Sequence, residues 1–384
     1  MKGLSQSSVL SPERPNIAID YTPAYEQGGG IGRYVRELVR ALARQPAEYD
    51  YHLFVSGARD LPAPPAENFA WEATSFSPKT LTRLWHRANI PLPVEFFIGE
   101  VNLYHATDFV LPPTRARALL TVHDLSFVRV PETASPNLIA YLAKVVPRSV
   151  QRADHVLADS QATKDDLIAL YGTSPDKITV LLSGVDARFH PTDRPSVRQK
   201  YNIPDRPYIF SVGTVQPRKN YVRLIHALSV LHEHGHGLDL VIAGGRGWLE
   251  DPIYATIREV RLEEHVHFIG FADDADLPAL YSAALITAVP SLYEGFGIPV
   301  LESMACGTPV LTSNISSLPE VAGDAALMVD PTDLDAIVHS LERLIDDSAL
   351  RSDLIGLGMS RAREFTWDRS AEQLRGIYAT MLQP

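Results

Sequence analysis

Two glutamates, Glu294 and Glu302, stand eight residues apart in SLYEGFGIPVLESMACGTPV (291–310), among residues that are otherwise apolar or small. Gly295 and Gly297 permit a tight turn between them. The helix dipole favours an acid near a helix N-terminus, which explains one of these carboxylates but not the pair.

The turn between these glutamates predicts an anion-binding site. Pro299 fits the first turn of a helix and Gly307 fits its C-terminal cap, so we expect a helix over about 298–305. The free N–H groups at its start would face an anion such as a phosphate. Because a carboxylate repels phosphate, the glutamates would instead accept hydrogen bonds from hydroxyl groups. A sugar and a ribose offer such hydroxyls, so the pattern indicates a nucleotide sugar.

Two adjacent cations, Arg218 and Lys219, follow the strand that opens the second half of the chain, in GTVQPRKN (213–220). An arginine fork and a lysine point charge together suit a diphosphate. Charged residues at helix starts also serve solubility, so the pair supports the anion site only together with the glutamates.

A glycine run, Gly28-Gly29-Gly30-Ile31-Gly32, follows the first predicted strand and precedes a helix predicted to begin at Arg33. Such a run lets the backbone approach a phosphate, although a flexible surface loop is the alternative. The spacing does not fit the dinucleotide fingerprint G-x-G-x-x-G, because Arg33 takes the last glycine position. No acid ends the second strand either, so nicotinamide binding is not expected.

His123 and Asp124 end an apolar strand in TVHDLSF (121–127), where a histidine could orient a substrate or serve only the structure. Two D-x-D pairs, at 274–276 and 333–335, have the spacing of a metal site. Both precede helices, where acids act as caps, so we expect no metal.

The chain has 384 residues, enough for two domains of about 150–200 residues each. Its single cysteine, Cys306, excludes an internal disulfide and a cysteine-cluster metal site. Residues 1–200 carry 22 Lys and Arg against 21 Asp and Glu, whereas residues 201–384 carry 13 against 25. An acidic second half without a basic stripe disfavours a nucleic-acid partner.

The first residues lack the apolar core of a signal peptide, and no apolar run is long enough to span a membrane. Both features predict a cytoplasmic protein. The segment KTLTRLWHRANIPLPVEFF (79–97) mixes basic and aromatic residues, which suits peripheral contact with an anionic membrane surface. Packing of this segment on its own domain is the alternative. Its basic residues are Lys79, Arg83, His86 and Arg87.

Short β-rich runs alternate with helical patterns twice along the chain, which predicts two parallel sheets covered by helices on both faces. The predicted strands of the first half are 16–21, 51–56, 102–106, 118–123, 155–159 and 178–182. Those of the second half are 208–213, 239–244, 266–271, 285–290, 309–313 and 326–330. The fold class is therefore α/β, with two doubly wound Rossmann-like domains facing each other across a ligand-binding cleft.

A proline-rich stretch of mixed charge, 184–207, marks the break between the domains. We expect an N-terminal domain over 1–190 and a C-terminal domain over 191–365. A final amphipathic helix within 366–384 would pack back across both domains.

The motifs resemble those of the retaining glycosyltransferases of family four, which have the GT-B architecture of two facing Rossmann-like domains. The resemblance begins near residue 16 and rests on GGGIGRYVREL, TVHDLSF, GTVQPRKN, FADDADLPALYSAA, SLYEGFGIPVLESMACGTPV and SSLPEVAGDAALMVDP. The residues of these motifs are most similar to those of GDP-mannose-dependent mannosyltransferases of bacterial O-antigen and exopolysaccharide synthesis. One departure is Thr214, where many relatives carry an arginine.

The resemblance implies roles for the residues of the E-x7-E stretch. Glu294 would hold hydroxyls of the donor sugar, and Glu302 would bind the ribose. The backbone of Gly295, Phe296 and Gly297 would line the sugar and the diphosphate.

The resemblance also implies roles outside that stretch. Lys219, helped by Arg218, would stabilise the leaving diphosphate, and the departure at residue 214 shifts more of that task to these two cations. The N–H of Gly30 would approach the phosphate, and His123 would lie beside the transferred sugar. The backbone near 270–271 would meet the base.

The implied reaction is the transfer of a hexose, mannose from GDP-mannose, with retention, to a lipid-linked or oligosaccharide acceptor of cell-surface polysaccharide synthesis. The N-terminal domain would bind the acceptor and the C-terminal domain the nucleotide sugar, with no cofactor and no metal. One alternative is a UDP-sugar-dependent transferase of glucose, N-acetylglucosamine or galactose. Further alternatives are a nucleotide-sugar enzyme that is not a transferase and a sugar-binding protein of the same architecture.

Overall fold

The computed structural model describes residues 14–383, which divide into two compact units. The first unit holds residues 14–123, 142–183 and 367–383, and the second holds Asp124–Tyr141 and Gly184–Thr366. The main segment of the second unit thus begins at Gly184, the first residue of the proline-rich stretch 184–207. The expected boundary at residue 190 remains a prediction.

The first unit contains a sheet of seven parallel strands in the order β3-β2-β1-β4-β5-β6-β7. The strands are β1 (Asn16–Asp20), β2 (Asp50–Ser56), β3 (Phe69–Thr74), β4 (Leu103–Ala106), β5 (Arg117–Val122), β6 (His155–Ala158) and β7 (Ile178–Val180). In the inner strands β1, β4, β5 and β6 the central residues are almost fully buried, as expected for a sheet with helices on both faces.

The second unit contains a sheet of six parallel strands in the order β10-β9-β8-β11-β12-β13. The strands are β8 (Tyr208–Val212), β9 (Asp239–Ala243), β10 (Val266–Gly270), β11 (Ile286–Val289), β12 (Val310–Ser313) and β13 (Leu327–Val329). Successive residues of β8 alternate between two separate apolar clusters, with Ile209 in one and Tyr208 and Phe210 in the other. Both faces of the sheet are therefore buried.

Helices connect the parallel strands. They are α1 (Thr22–Glu26), α2 (Gly30–Ala43), α3 (Pro78–Thr82), α4 (Glu95–Ile98), α5 (Ser126–Arg129), α6 (Pro136–Arg152), α7 (Gln161–Tyr171), α8 (Ser196–Lys200), α9 (Tyr221–Glu233), α10 (Asp251–Glu259), α11 (Leu277–Ser282), α12 (Ile298–Ala305), α13 (Leu318–Ala322), α14 (Leu334–Asp346), α15 (Ser348–Ala362) and α16 (Trp367–Leu382). Single turns occur at Arg83–Arg87, Pro131–Thr133, Pro175–Lys177 and Pro217–Lys219.

All twelve strands predicted from the sequence are present, and the α/β fold class is confirmed. Strand β3 was missed, because FAWEAT offers too short an alternation and follows a proline-rich segment. The prediction that a helix begins at Arg33 was wrong, since α2 begins at Gly30. Only glycine fits at Gly32, because a Cβ atom there would lie 2.0 Å from the carbonyl oxygen of Gln27.

The final helix α16 packs within the first unit. The hydroxyl of Tyr378 lies 2.8 Å from Nδ1 of His105 on β4, and both residues are fully buried. The ring of Trp367 meets that of Tyr34 on α2 edge to face. The last residues of the chain therefore complete the core of the unit that begins the chain.

Candidate active site

The candidate site lies at the carboxyl ends of β8 and β11. In the order β10-β9-β8-β11-β12-β13 the chain winds outward in opposite directions from these two strands, so the crevice at a topological switch point opens between them. The loop 213–220 follows β8, and the loop 290–297 follows β11. The cation pair and the first glutamate predicted from the sequence are both in these loops.

Buried contacts hold the two loops together. Asn220, which is 4 % exposed and has φ +61°, donates from Nδ2 to the carbonyl oxygens of Pro290 (2.9 Å) and Pro331 (2.7 Å). The backbone N–H of Leu292 donates to the carbonyl of Arg218 at 2.8 Å. Asn is one of the few residues other than glycine that adopts a positive φ readily, and here its amide also joins three segments.

Lys219 reaches the site by crossing the backbone at Gly213. A Cβ atom at Gly213 would lie 2.6 Å from Cε of Lys219, so the aliphatic part of the lysine needs a glycine there. Gly213 also has φ +153°, a conformation that L side chains rarely adopt. The glycine that directly follows β8 therefore makes room for the lysine side chain.

Arg218, Lys219 and Glu294 form one buried ion group. Nζ of Lys219 lies 2.6 Å from Oε1 of Glu294, and Nη1 of Arg218 lies 2.7 Å from Oε2. Nη1 of Arg218 also donates to the carbonyl of Tyr293 at 2.6 Å. Burial alone would raise the pKa of Glu294, but the charges of Arg218 and Lys219 outweigh it and lower that pKa to about 2. Glu294 is therefore ionised at neutral pH. Burial outweighs the charge of Glu294 at Lys219 and lowers the pKa of that ammonium group.

This pairing differs from the sequence-based interpretation, in which the cations faced a diphosphate and Glu294 faced hydroxyl groups alone. In the structure both oxygens of Glu294 accept from the cations. This contact could not be predicted from the sequence, because Lys219 and Glu294 are 75 residues apart and only the order of the strands brings their loops together.

Helix α12 begins and ends where the sequence predicted, at Ile298 and Ala305. Its N-cap is Gly297 with φ +108°, and a Cβ atom there would lie 2.8 Å from the side chain of Leu318. The Ser317 hydroxyl lies within hydrogen-bond distance of the carbonyls of Glu294 (2.9 Å) and Phe296 (2.8 Å). These hydrogen bonds hold the turn 294–297 in place. Because this turn follows β11, the first turn of α12 lies at the switch point.

Phe296 and Gly295 contribute backbone rather than side chains to this turn. The ring of Phe296 is 5 % exposed and packs against Phe365, so it anchors the loop in the core. Gly295 is buried between the ion-paired glutamate and this anchor. Their proposed contacts with sugar and diphosphate remain predictions.

Glu302 lies inside α12 and is 1 % exposed. Its Oε2 accepts a hydrogen bond from the hydroxyl of Tyr281 at 2.8 Å, and Tyr281 is itself fully buried on α11. Sequence reasoning assigned no role to Tyr281, although it lies in the motif FADDADLPALYSAA. The hydrogen bond fixes one oxygen of Glu302, and the proposed ribose contact remains a prediction.

His123 directly follows β5 in the first unit and is 5 % exposed. Its Nδ1 lies 2.7 Å from the carboxylate of Asp159, and its Nε2 lies 2.8 Å from the carbonyl of Thr107. Both partners can only accept, so both ring nitrogens carry protons. Burial alone would lower the pKa of His123, but Asp159 and its other neighbours outweigh it and raise that pKa to about 9. An imidazolium fixed in this way cannot serve as a general base at neutral pH.

Gly30 is the first residue of α2 and is exposed, with Gly29 as the N-cap. It belongs to the first unit together with His123, whereas Arg218, Lys219, Glu294 and Glu302 belong to the second. The structure thus brings the cation pair and Glu294 into direct contact. The assigned roles of Gly30 and His123 remain predictions.

The two D-x-D pairs have structural partners. Asp276 is bonded to Arg194 and Lys200, and Asp333 caps α14 by accepting from the N–H of Ala336 at 3.0 Å. Over residues 14–383, the structure contains no group of three or more His, Cys, Asp or Glu side chains that could hold a metal ion.

Two protein-family models match the chain. The model described as Glycosyltransferase Family 4 matches residues 28–189, and the model described as Glycosyl transferases group 1 matches residues 193–358. Among named relatives, the O-antigen chain mannosyltransferase B of Escherichia coli is 33% identical over 367 residues, which cover 91% of this chain and 95% of the relative. The D-inositol 3-phosphate glycosyltransferase of Salinispora tropica is 33% identical over 67% of this chain and 58% of its own length.

Solved structures share the fold at lower sequence identity. Sucrose-phosphate synthase from Thermosynechococcus elongatus superposes with a TM-score of 0.75 at 23% identity, covering 96% of this chain and 99% of that one. HepE from Anabaena, solved in complex with UDP and glucose, gives a TM-score of 0.75 at 19% identity, covering 96% and 100%. With its two Rossmann-like sheets, this chain has the GT-B architecture.

The fold, the family models and the relatives agree on the class of protein. The chain belongs to the family-four, group 1 glycosyltransferases, and it is accordingly a hexosyltransferase.

Proposed function

We propose that the chain transfers mannose from GDP-mannose to a growing cell-surface polysaccharide, with retention of configuration. The proposed donor site is supported by the ion group of Arg218, Lys219 and Glu294. This group lies beside the N-terminus of α12, at the switch point of the second sheet. The similarity to an O-antigen chain mannosyltransferase over nearly the whole chain supports mannose as the sugar. A UDP-sugar is the second candidate donor, since a structural neighbour was solved with UDP and glucose.

In the proposed reaction, the bond between C1 of the hexose and the β-phosphate oxygen breaks as the acceptor oxygen bonds to C1 on the same face. The acceptor proton passes to the departing phosphate oxygen. Lys219, Arg218 and the first turn of α12 stabilise the negative charge that develops on the diphosphate. His123 takes no proton in this scheme, because both of its ring nitrogens already donate to Asp159 and Thr107.

Glu294 exchanges partners during donor binding in this proposal. A diphosphate that reaches Lys219 competes with the carboxylate for the ammonium group. The freed oxygen of Glu294 then accepts hydrogen bonds from hydroxyls of the hexose. Glu302, fixed by Tyr281, contacts the ribose, so the two glutamates have separate tasks.

Nucleotide binding tests the donor assignment. We expect GDP, and not UDP or ADP, to raise the melting temperature, and GDP-mannose to raise it in preference to other nucleotide sugars. At a ligand concentration of about 100 times Kd, binding adds about 2.7 kcal/mol to the free energy of unfolding. EDTA should leave the shift unchanged, since protein cations and not a metal neutralise the diphosphate. A larger rise of the melting temperature with UDP than with GDP would indicate that the donor is a UDP-sugar.

We also propose that the acceptor is lipid-linked and that the first unit touches an anionic membrane surface. Lys79, Arg83 and Arg87 are exposed at intervals of four residues across α3 and the following turn. Phe96 is 73% exposed nearby, with its ring against that of Phe97. His86 adds no charge, because burial lowers its pKa to about 4. No helix among residues 14–383 is long and apolar enough to cross a membrane.

Vesicle co-sedimentation tests this contact. Each basic residue near an anionic surface adds about 1 kcal/mol, so replacing Lys79, Arg83 and Arg87 with alanine should weaken binding to phosphatidylglycerol vesicles by about a hundredfold. A Phe96→Ala variant should weaken it further. Equal sedimentation of wild type and triple variant, or equal binding to phosphatidylcholine vesicles, would contradict the proposed surface.

A further inference from the structure

A third loop of the second unit, residues 314–317, connects β12 to α13 and lies against the turn that carries Glu294. β12 is the parallel neighbour of β11, so the loops that follow these two strands meet at the same edge of the sheet. The Ser313 hydroxyl at the end of β12 donates to the carbonyl of Ser291 at 2.7 Å, which joins the two strand ends. The loop 314–317 is therefore placed to act on the site residues that follow β11.

Serine side chains hold both backbone groups of Glu294. Its N–H donates to the hydroxyl of Ser316 at 3.1 Å, and its carbonyl lies 2.9 Å from the hydroxyl of Ser317. Ser317 is fully buried and Glu294 is only 7 % exposed. The main chain of Glu294 is thus held separately from its carboxylate, which pairs with Arg218 and Lys219.

Ser316 has a backbone conformation that suits glycine better than serine. Its φ is +54°, in the left-handed region that residues with a Cβ atom adopt only at some cost. Such a conformation persists where the surrounding structure requires it, and it is concentrated at functional sites. A serine at this position therefore indicates that the hydroxyl is needed, since glycine would supply the turn without strain.

The proposed function explains why the main chain of Glu294 must be held. Its carboxylate leaves Lys219 when the diphosphate binds and then accepts from hydroxyls of the hexose, and a small misplacement of such a group lowers the rate strongly. On the other side of the turn, the N–H of Leu292 donates to the carbonyl of Arg218 at 2.8 Å. With the turn held on both sides, the exchange is a rotation of the Glu294 side chain alone.

We propose that Ser316 is a positioning residue, which holds the main chain of Glu294 while the carboxylate passes from Lys219 to the hexose. This inference rests on the proposed function, because it takes the exchange of partners from there. Ser316 acts through Glu294 and has no part in making or breaking the donor bond.

Two substitutions at residue 316 should change stability and activity in opposite directions. Ser316→Gly removes the hydroxyl but suits the positive φ, so kcat should fall about tenfold, the effect of one lost hydrogen bond, without a lower melting temperature. Ser316→Thr keeps the hydroxyl, but its branched Cβ disfavours this φ, so the melting temperature should fall while kcat stays close to that of the wild type. If Ser316 served only the structure, activity would instead follow stability.

Three measurements separate this role from a general effect on the enzyme. In a Glu294→Gln background, Ser316→Gly should lower kcat much less than in the wild type, because the effect passes through the carboxylate. GDP affinity should be unchanged in the Ser316 variants, since GDP carries no hexose. Asn202→Gly is the matched control, because Asn202 is an exposed residue of the same unit with φ +53°, and this variant should keep full activity.

Hydrogen exchange of the ligand-free protein tests the contact apart from the identity of the donor. The amide of Glu294 should exchange faster in Ser316→Gly than in the wild type, and no faster in Ser316→Thr. Transfer is measured from GDP-mannose and, in parallel, from UDP-glucose, so use of UDP-glucose alone would contradict the donor assignment and still allow the kinetic comparison. Near-normal kcat in Ser316→Gly, unchanged exchange of the Glu294 amide, or the same fall of kcat in the Glu294→Gln background would overturn the inference.

Discussion

Lys219→Ala is expected to lower kcat by about two to three orders of magnitude, the cost of removing one preorganised group that stabilises developing negative charge. Lys219 is the group placed to neutralise the departing diphosphate, and the helix N-terminus and Arg218 cannot replace its point charge. Steady-state transfer from GDP-mannose measures the effect. The melting temperature should change little, because Glu294 keeps its contact with Arg218 at 2.7 Å.

Two further variants separate charge from packing. Lys219→Met keeps the aliphatic chain that crosses Gly213 and removes only the ammonium group, so it should be as inactive as the alanine variant. Lys200→Ala removes an exposed lysine that pairs with Asp273 and Asp276 in the same unit, and it should retain activity. A Lys219→Met enzyme with near-normal kcat would show that the lysine does not stabilise the leaving group.

Glu294→Gln should both destabilise the protein and abolish most transfer. Removing this carboxylate leaves Arg218 and Lys219 buried beside each other without a counter-charge, and breaking a buried ion pair in this way costs about 3–5 kcal/mol. Chemical denaturation measures the loss of stability. GDP should restore much of it, because the diphosphate then supplies the missing negative charge. We therefore expect a larger GDP-induced shift of the melting temperature in the variant than in the wild type.

Glu302→Gln is the matched control, since it is also a buried glutamate-to-amide change in the same segment. Its amide oxygen can still accept from Tyr281, so stability should fall by much less than in Glu294→Gln. We expect this variant to weaken donor binding and to retain kcat at saturating donor. If both variants lost only donor affinity, and equally, the separate tasks assigned to the two glutamates would be wrong.

The local parts of this site could be predicted from the sequence. The bounds of α12 follow from Gly297, Pro299 and Gly307, whose conformational preferences act within a few residues. The N-cap of α7 is equally local, since the Ser160 hydroxyl accepts from the N–H of Thr163 at 3.1 Å. Strand β3 escaped prediction because its short segment has only a weak alternating pattern.

The partners of the site residues could not be predicted, because they come from distant parts of the chain. Asp159 holds His123 from 36 residues away, and Lys219 reaches Glu294 across 75 residues. Nothing in the local pattern around His123 indicates that both of its nitrogens are engaged. The order of parallel strands decides which loop ends meet, and that order emerges only when the sheet is assembled.

A crystal structure of the protein with GDP tests the central claim most directly, which is that a diphosphate binds at the switch point of the second sheet. We predict a β-phosphate oxygen within about 3 Å of Nζ of Lys219, a distance typical of a charge-assisted hydrogen bond, and phosphate oxygens facing the first turn of α12. Oε1 of Glu294 should then lie farther from Lys219 than its present 2.6 Å. A diphosphate bound elsewhere, with the Lys219–Glu294 contact intact, would contradict the account.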